Sequence, residues 1–336
     1  MSAQGSGYAE LMAIAVGYQA SRAVMVAAEL GIADVLRDDT RSVADIAAAT
    51  ATHPPTLYRL LRALASIGVL HEDDERRFSL TAMGRHLRSD APGSPGALAR
   101  FFGRDYQWAA WGHLLHSVRT GENAMRALYG VDVWKYREER PEENEIFNAA
   151  MAAMSTAGAD RETAAFDFGR SVVADVGGGT GTLIATILRR NPEARGILYD
   201  QPHVVAGAAA VLERAGVADR VRVEAGSFFE RAPEGADVYV LRHILHDWPD
   251  QEAVAILRSC RRAMKADARL LVLDCVVGPP NQDPPSKFLD LVMLVSAGGR
   301  ERSEPEWRAL LAEGGFRWER VSAASPRAAV IEARPA

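Results

Sequence analysis

The chain has 336 residues but only two cysteines, Cys260 and Cys275. Two thiols cannot staple a small secreted domain, and neither stands in the paired spacing of a zinc site, so both read as small core hydrophobes. A basic excess is also missing: 39 lysines and arginines stand against 44 aspartates and glutamates, a net charge of −5. A chain without surplus cations offers little to a polyanion, which makes nucleic acid a poor candidate partner. The opening residues MSAQGSGYAE lack the basic-then-apolar design of a signal peptide. No uninterrupted apolar run nears the roughly 20 residues of a membrane span. These absences lead to the expectation of a soluble cytoplasmic protein with no membrane or nucleic-acid partner.

What is present is length enough for two domains, and a change of texture near residue 165. Before it, Leu11–Ala28, Val43–Ala49 and Thr56–Ile67 read as helices, the last started by Pro54-Pro55. After it, strands and helices alternate: strands at 172–176, 196–200, 221–225, 238–241 and 269–277, helices at 182–190, 204–215, 251–264 and 306–313, and two final strands near 316–321 and 328–333. This predicts an α/β fold with a doubly wound, mainly parallel sheet over residues 165–336 and a helical domain over residues 1–164. In the first domain, Val43–Ile67 followed by GVLHEDDERRFSLTAMGRHL has the layout of a winged helix. Its second helix carries only Arg59 and Arg62, and Glu72, Asp73, Asp74 and Glu75 would repel phosphates from the wing. Packing or dimerisation is therefore the expected role. Leu11, Ile14, Ala15, Tyr18 and Val24–Ala28 add more apolar surface than a monomer comfortably exposes.

The strongest local signal is VVADVGGGTGTL, residues 172–183, where a strand runs through glycines into a helix. Gly177, Gly179 and Gly181 let the turn pass close under a ligand. A dinucleotide fingerprint wants glycine or alanine where Thr182 stands, so a nucleoside without a pyrophosphate fits better. One strand later ILYDQPHV ends in Asp200, about twenty residues on, where a carboxylate can accept both hydroxyls of a ribose. Behind the strand Val238–Leu241 comes RHILHDWPD, residues 242–250, a histidine-rich loop delivered to the same carboxyl edge of the sheet. Asp250 is expected to cap the next helix, and His243 to be structural.

Taken together, DVGGGTG, YDQPHV, LRHILHDWPD, GGRERSEPEW and the winged-helix front end resemble the S-adenosylmethionine-dependent O-methyltransferases of the plant caffeate and bacterial polyketide-tailoring type. The likeness runs over nearly the whole chain. It implies a class I methyltransferase sheet with a reversed last strand and an N-terminal, all-helical, winged-helix-like dimerisation domain. It further implies a homodimer, S-adenosyl-L-methionine as cofactor, and S-adenosyl-L-homocysteine as its product. By position, Gly177 and Gly179 would line the methionine part, Asp200 the ribose, and Gly226, Ser227, Phe228 and Trp248 the adenine. Ser227 replaces the family's acid, and Arg242 its usual lysine, which keeps the charge and changes the geometry. His246 would be the general base, flanked by the acids Asp274 and Glu301.

An unperturbed phenol has pKa about 10 and a histidine about 6.5, so proton transfer would be uphill by about 3.5 units, or ~5 kcal/mol. Acid partners would offset part of this. Glu301 matches the family, whereas Asp274 is one methylene short, which leaves either a lost or water-mediated contact with the imidazole, or a strand-end acid bound to backbone. Trp108, Phe147, Met151 and Met293 are the expected acceptor contacts, with a flat phenolic or polyketide acceptor. Phe147, Met151 and Met154 share a helix face, so core packing is an equal reading. No metal site is expected. Two other classes stay open: a cofactor-binding relative with altered chemistry (C- or N-methylation, decarboxylation, hydroxylation), and a non-catalytic dimeric regulator.

Overall fold

The structure, a computed structural model, describes residues 3–91, 93, 95–164, 166–323 and 328–336. Two compact units interleave along the chain: Met1–Trp108 with Glu142–Met154, and Ala109–Pro141 with Ser155–Ala336.

The first unit opens with α1 (Ala3–Val16) and α2 (Tyr18–Glu29), so the long helix expected over 11–28 is divided at Gly17. The stretch Gly7–Glu29 is long and apolar enough to cross a membrane by length and composition, with mean hydropathy 1.4 over its apolar window. Polar residues such as Gln19 and Arg22 interrupt it, so no uninterrupted apolar run reaches that length. Next come α3 (Ile32–Leu36), β1 (Arg41–Ser42), α4 (Val43–Thr50), α5 (Pro54–Ser66), β2 (Leu70–Glu72), β3 (Arg77–Leu80) and α6 (Pro95–Phe102). Ser42 caps α4 by accepting the N–H of Asp45 at 3.2 Å. Strands β1, β3 and β2 form a small antiparallel sheet, so the domain is winged-helix-like without being all helical. Ile46, Leu57, Leu61, Leu64 and Phe78 are buried at its core, while Tyr8, Leu11, Met12, Ile14, Val16 and Tyr18 are exposed.

Short helices α7 (Asp105–Gly112), α8 (Leu114–Thr120), α9 (Ala124–Tyr129) and α10 (Val133–Glu138) lead to the long α11 (Pro141–Ala164). The catalytic candidate unit then runs β4 (Val172–Val176), α12 (Thr182–Arg190), β5 (Arg195–Asp200), α13 (Pro202–Val205), α14 (Ala208–Arg214), β6 (Val221–Ala225), β7 (Val238–Arg242), α15 (Asp250–Ala263), β8 (Arg269–Asp274), α16 (Pro284–Val292), α17 (Glu304–Glu313), β9 (Phe316–Ala323) and β10 (Ala329–Pro335). The sheet order is β6-β5-β4-β7-β8-β10-β9. Strands β4 to β8 are parallel and β10 is antiparallel to both neighbours, which gives the reversed last strand. Strands as buried and largely apolar as β4 and β8 are what a sheet covered on both faces requires, with Asp175 and Asp274 standing near their carboxyl ends. The order reverses direction between β4 and β7, so the loops after those two strands open a crevice at their carboxyl ends.

Candidate active site

Strand β4 ends in Val176, and the chain turns through Gly177 (φ +75°) and Gly179 (φ +61°) before α12. These are conformations a side chain resists, and a Cβ on Gly177 would also meet the Ile244 side chain at 2.5 Å. Asp200, at the end of β5, accepts the Gly179 N–H at 2.8 Å through Oδ2 and the Gln201 N–H at 2.7 Å through Oδ1. Burial holds its carboxyl above the usual range despite these two bonds. Beneath the loop Asp175 is 1% exposed, and burial pushes it up to about 7. Its Oδ2 has no hydrogen-bond partner among the described residues. The donor set decides which nucleoside fits. The Gly179 amide already serves the Asp200 carboxylate and is not free to cradle a phosphate.

Gly226 packs against the Tyr199 hydroxyl with no room for a Cβ. Ser227, where the family pattern has an acid, accepts the Phe229 N–H at 3.3 Å and so serves a turn. Phe228 meets Phe229 and Trp248 edge to face, at 5.0 and 6.1 Å. Trp248 also stacks on Trp134 of α10 at 6.0 Å, forming an aromatic wall beside the loop that follows β7. Arg242 is held by Glu162 of α11, Nε to Oε2 at 2.6 Å, with both side chains buried.

His246 sits in a single 3₁₀ turn, Leu245–Asp247, and is 7% exposed. Its Nδ1 lies 2.7 Å from Glu301 Oε1 and 3.2 Å from Asp274 Oδ1, while Asp247 Oδ1 is 3.7 Å from Nε2. The shorter Asp274 therefore reaches the ring directly. It does so because its Oδ2 also accepts the His246 N–H, at 3.3 Å, drawing the turn towards the end of β8. Burial alone would push the imidazole down; Asp274, Asp247 and Glu301 outweigh it and hold His246 up at about 10. Burial pushes Glu301 up to about 7 and Asp247 up to about 6. Asp274 is held below the usual range because the two histidines beside it outweigh its burial. His243, His246 and Asp274 bring ligand-type atoms within 4.8 Å of one another.

Arg302, which no sequence motif singled out, holds this turn from behind. It is 1% exposed and donates to the carbonyls of Leu245 and Trp248 at 3.0 Å each and to Asp250 at 2.7 Å. Asp250 is thereby an ion-pair partner and the first residue of α15, with Pro249 at the cap position, which corrects its expected capping role. Met293 is buried in a π-helical turn, Met293–Ala297, whose Leu294 and Ser296 carbonyls accept the Asn123 side-chain amide at 2.8 and 3.2 Å. Trp108, Phe147 and Met151 belong to the other compact unit. There Arg22 lies over the Trp108 ring at 5.1 Å and Phe147 packs on Phe101 at 5.6 Å; Met151 is half-buried.

Comparisons with known proteins place the chain among methyltransferases. Residues 111–317 match a family model described as an O-methyltransferase domain, and residues 12–90 one described as an O-methyltransferase dimerisation domain. A phenazine O-methyltransferase from Lysobacter antibioticus is 41% identical over 327 residues, 97% of this chain and 95% of the relative. An 8-amino-8-demethylriboflavin N,N-dimethyltransferase from Streptomyces davaonensis is 40% identical over 312 residues, 91% of this chain and 89% of the relative. Among solved structures, CalO1, a methyltransferase of calicheamicin biosynthesis with S-adenosylhomocysteine bound, superposes with a TM-score of 0.83 at 36% identity, covering 100% of each chain.

Proposed function

The chain belongs to the O-methyltransferase family and is an S-adenosylmethionine-dependent methyltransferase, and from that premise we propose that His246 takes the proton from a hydroxyl of a flat aromatic acceptor. The observation that carries this reading is the orientation of the imidazole. Nδ1 faces Glu301 and Asp274, which leaves Nε2 for the acceptor. The cofactor supplies an activated methyl group on a sulfonium. Asp200 binds its ribose, Gly177 and Gly179 make room for its methionine part, and Gly226, Phe228 and Trp248 flank the adenine. Met293 contributes to the acceptor side, and the Trp248–Phe228 wall excludes water, so that the aligned reactants stay in line.

The acids around His246 close the proton-affinity gap that the sequence alone leaves open. At about 10 the imidazole matches an ordinary phenol, so proton transfer between them is near balance. The sign of the pH dependence follows: the base must be free of its proton, so kcat/KM rises as pH climbs from 7 towards 10. A profile flat above pH 7 contradicts this.

Asp200→Ala is expected to weaken S-adenosylmethionine binding at least about tenfold, through the lost hydrogen bonds to a charged acceptor, and calorimetric titration of the variant reads it directly. Unchanged affinity would place the ribose elsewhere. The test of the function is a titration of the purified protein with S-adenosylmethionine and, in parallel, NAD, followed by a screen of phenolic acceptors for methyl transfer. Binding of neither would favour a non-catalytic dimeric regulator. We further propose a cytoplasmic homodimer in which a second copy covers the exposed apolar face of α1 and α2, since residues 12–90 match a dimerisation domain.

A further inference from the structure

At the end of β7 the backbone turns into the left-handed region at His243, φ +53°, a conformation that costs a non-glycine residue about 1 kcal/mol. The turn lays the His243 ring 5.4 Å from that of His246, tilted by 30°. Its Nδ1 comes to 3.7 Å from Asp274 Oδ1. That same oxygen is 3.2 Å from His246 Nδ1 and accepts the Cys275 N–H at 3.0 Å. Asp274 is fully buried, so no water competes for it, and the side chains that draw on its charge are the two histidines. We infer that His243 is a positioning residue of the reaction: it shares the Asp274 carboxylate with His246 and so sets how strongly that carboxylate retains the base's proton. The inference rests on the proposed role of His246.

Glu301 and Asp247 act on His246 directly, from 2.7 and 3.7 Å, and the remaining neighbours engage other groups. Glu301 receives its own support from Asp290, which accepts the Glu301 N–H at 2.8 Å. Asp247 feels Arg137 of α10. Arg302 spends its donors on turn carbonyls and Asp250, and the Cys275 thiol is pushed up beyond ordinary titration by burial. Burial keeps His243 itself below the usual histidine range, so at neutral pH it is an uncharged partner to Asp274. Removing its ring leaves the whole Asp274 charge to His246. The imidazolium becomes harder to deprotonate, and the acid limb of the rate profile moves to higher pH.

The experiment is the pH dependence of kcat/KM for the full-length protein and for His243→Gly, His243→Asn and His246→Ala. Glycine accepts the positive φ without strain and removes the ring; asparagine also tolerates that backbone and offers an amide N–H to Asp274. The glycine variant should shift the acid limb upward by about half a unit to one unit. That is a roughly three- to tenfold loss at each pH below the base's own pKa, accompanied by the same upward shift in the NMR titration of the His246 ring, which is read independently of turnover. Asparagine should bring the limb back towards the parent. A His246 titration left where the parent has it, a rate profile that loses its slope, or an asparagine variant no nearer the parent than the glycine one overturns the inference. His246→Ala separates the two levels, because full turnover in that variant defeats the base assignment itself, whatever His243 does.

Discussion

Replacing His246 with alanine should lower turnover by at least about a hundredfold, the usual worth of a positioned general base, and leave S-adenosylmethionine affinity within about threefold of the parent. The split follows from the geometry. The ring contacts Glu301 and Asp274 rather than the glycine turn or Asp200, so its loss empties the proton-accepting position and leaves the cofactor side intact. The size of the loss should also depend on the acceptor. A hydroxyl already ionised at the assay pH needs no base, so the penalty shrinks as acceptor acidity rises, and a weakly acidic phenol shows it in full. Steady-state rates across a series of substituted phenols, with parallel binding titrations, measure both parts. Undiminished turnover of a weakly acidic phenol by the alanine variant would remove His246 from the chemistry.

The second large effect is expected at Arg302. Methionine in its place keeps much of the apolar length and supplies no donor, so the Leu245 and Trp248 carbonyls and the Asp250 carboxylate lose their shared partner. Leaving the two turn carbonyls without their donor costs about 1–3 kcal/mol each, while the half-exposed Asp250 is rehydrated, and for a chain of this size the sum is a fall in Tm of roughly 5–10 °C. Lysine should recover only part of it, because a single ammonium cannot satisfy several acceptors set in a fork. Differential scanning calorimetry of the methionine and lysine variants decides the matter. A methionine variant within about 1 kcal/mol of the parent would mean that the turn carrying His246 is held by other contacts.

Local strings in the sequence carried most of the architecture. Strands 172–176 and 221–225 coincide with β4 and β6, because each is a short valine-rich run bounded by turn residues and needs no distant information. The glycine turn, Asp200 and the His246 loop were legible for the same reason: each is written in consecutive residues at the end of one strand. Pairings across long separations were not. Glu162 lies 80 residues from Arg242, and Arg302 lies 57 from Leu245; no single-sequence pattern says that such residues meet. Trp134 likewise stands in an unremarkable short helix until the fold lays it on Trp248. The Asp274 contact turned on a movement of backbone rather than on side-chain length.

Helix α11 is one continuous rod, yet its residues up to Met154 count with the first compact unit and those from Ser155 with the second, while Ala109–Pro141 is lent by the second unit to the middle of the first. A single scission of the chain therefore releases neither unit whole. A cut near residue 108 leaves α8 to α10 with the sheet but deprives the first unit of the part of α11 that completes it. A fragment cut near residue 164 strips the sheet of Asn123, Trp134 and the Glu162 that holds Arg242. Inheritance of such a chain by shuffling of parts is correspondingly restricted: it is exchanged as one piece or with both of its crossings.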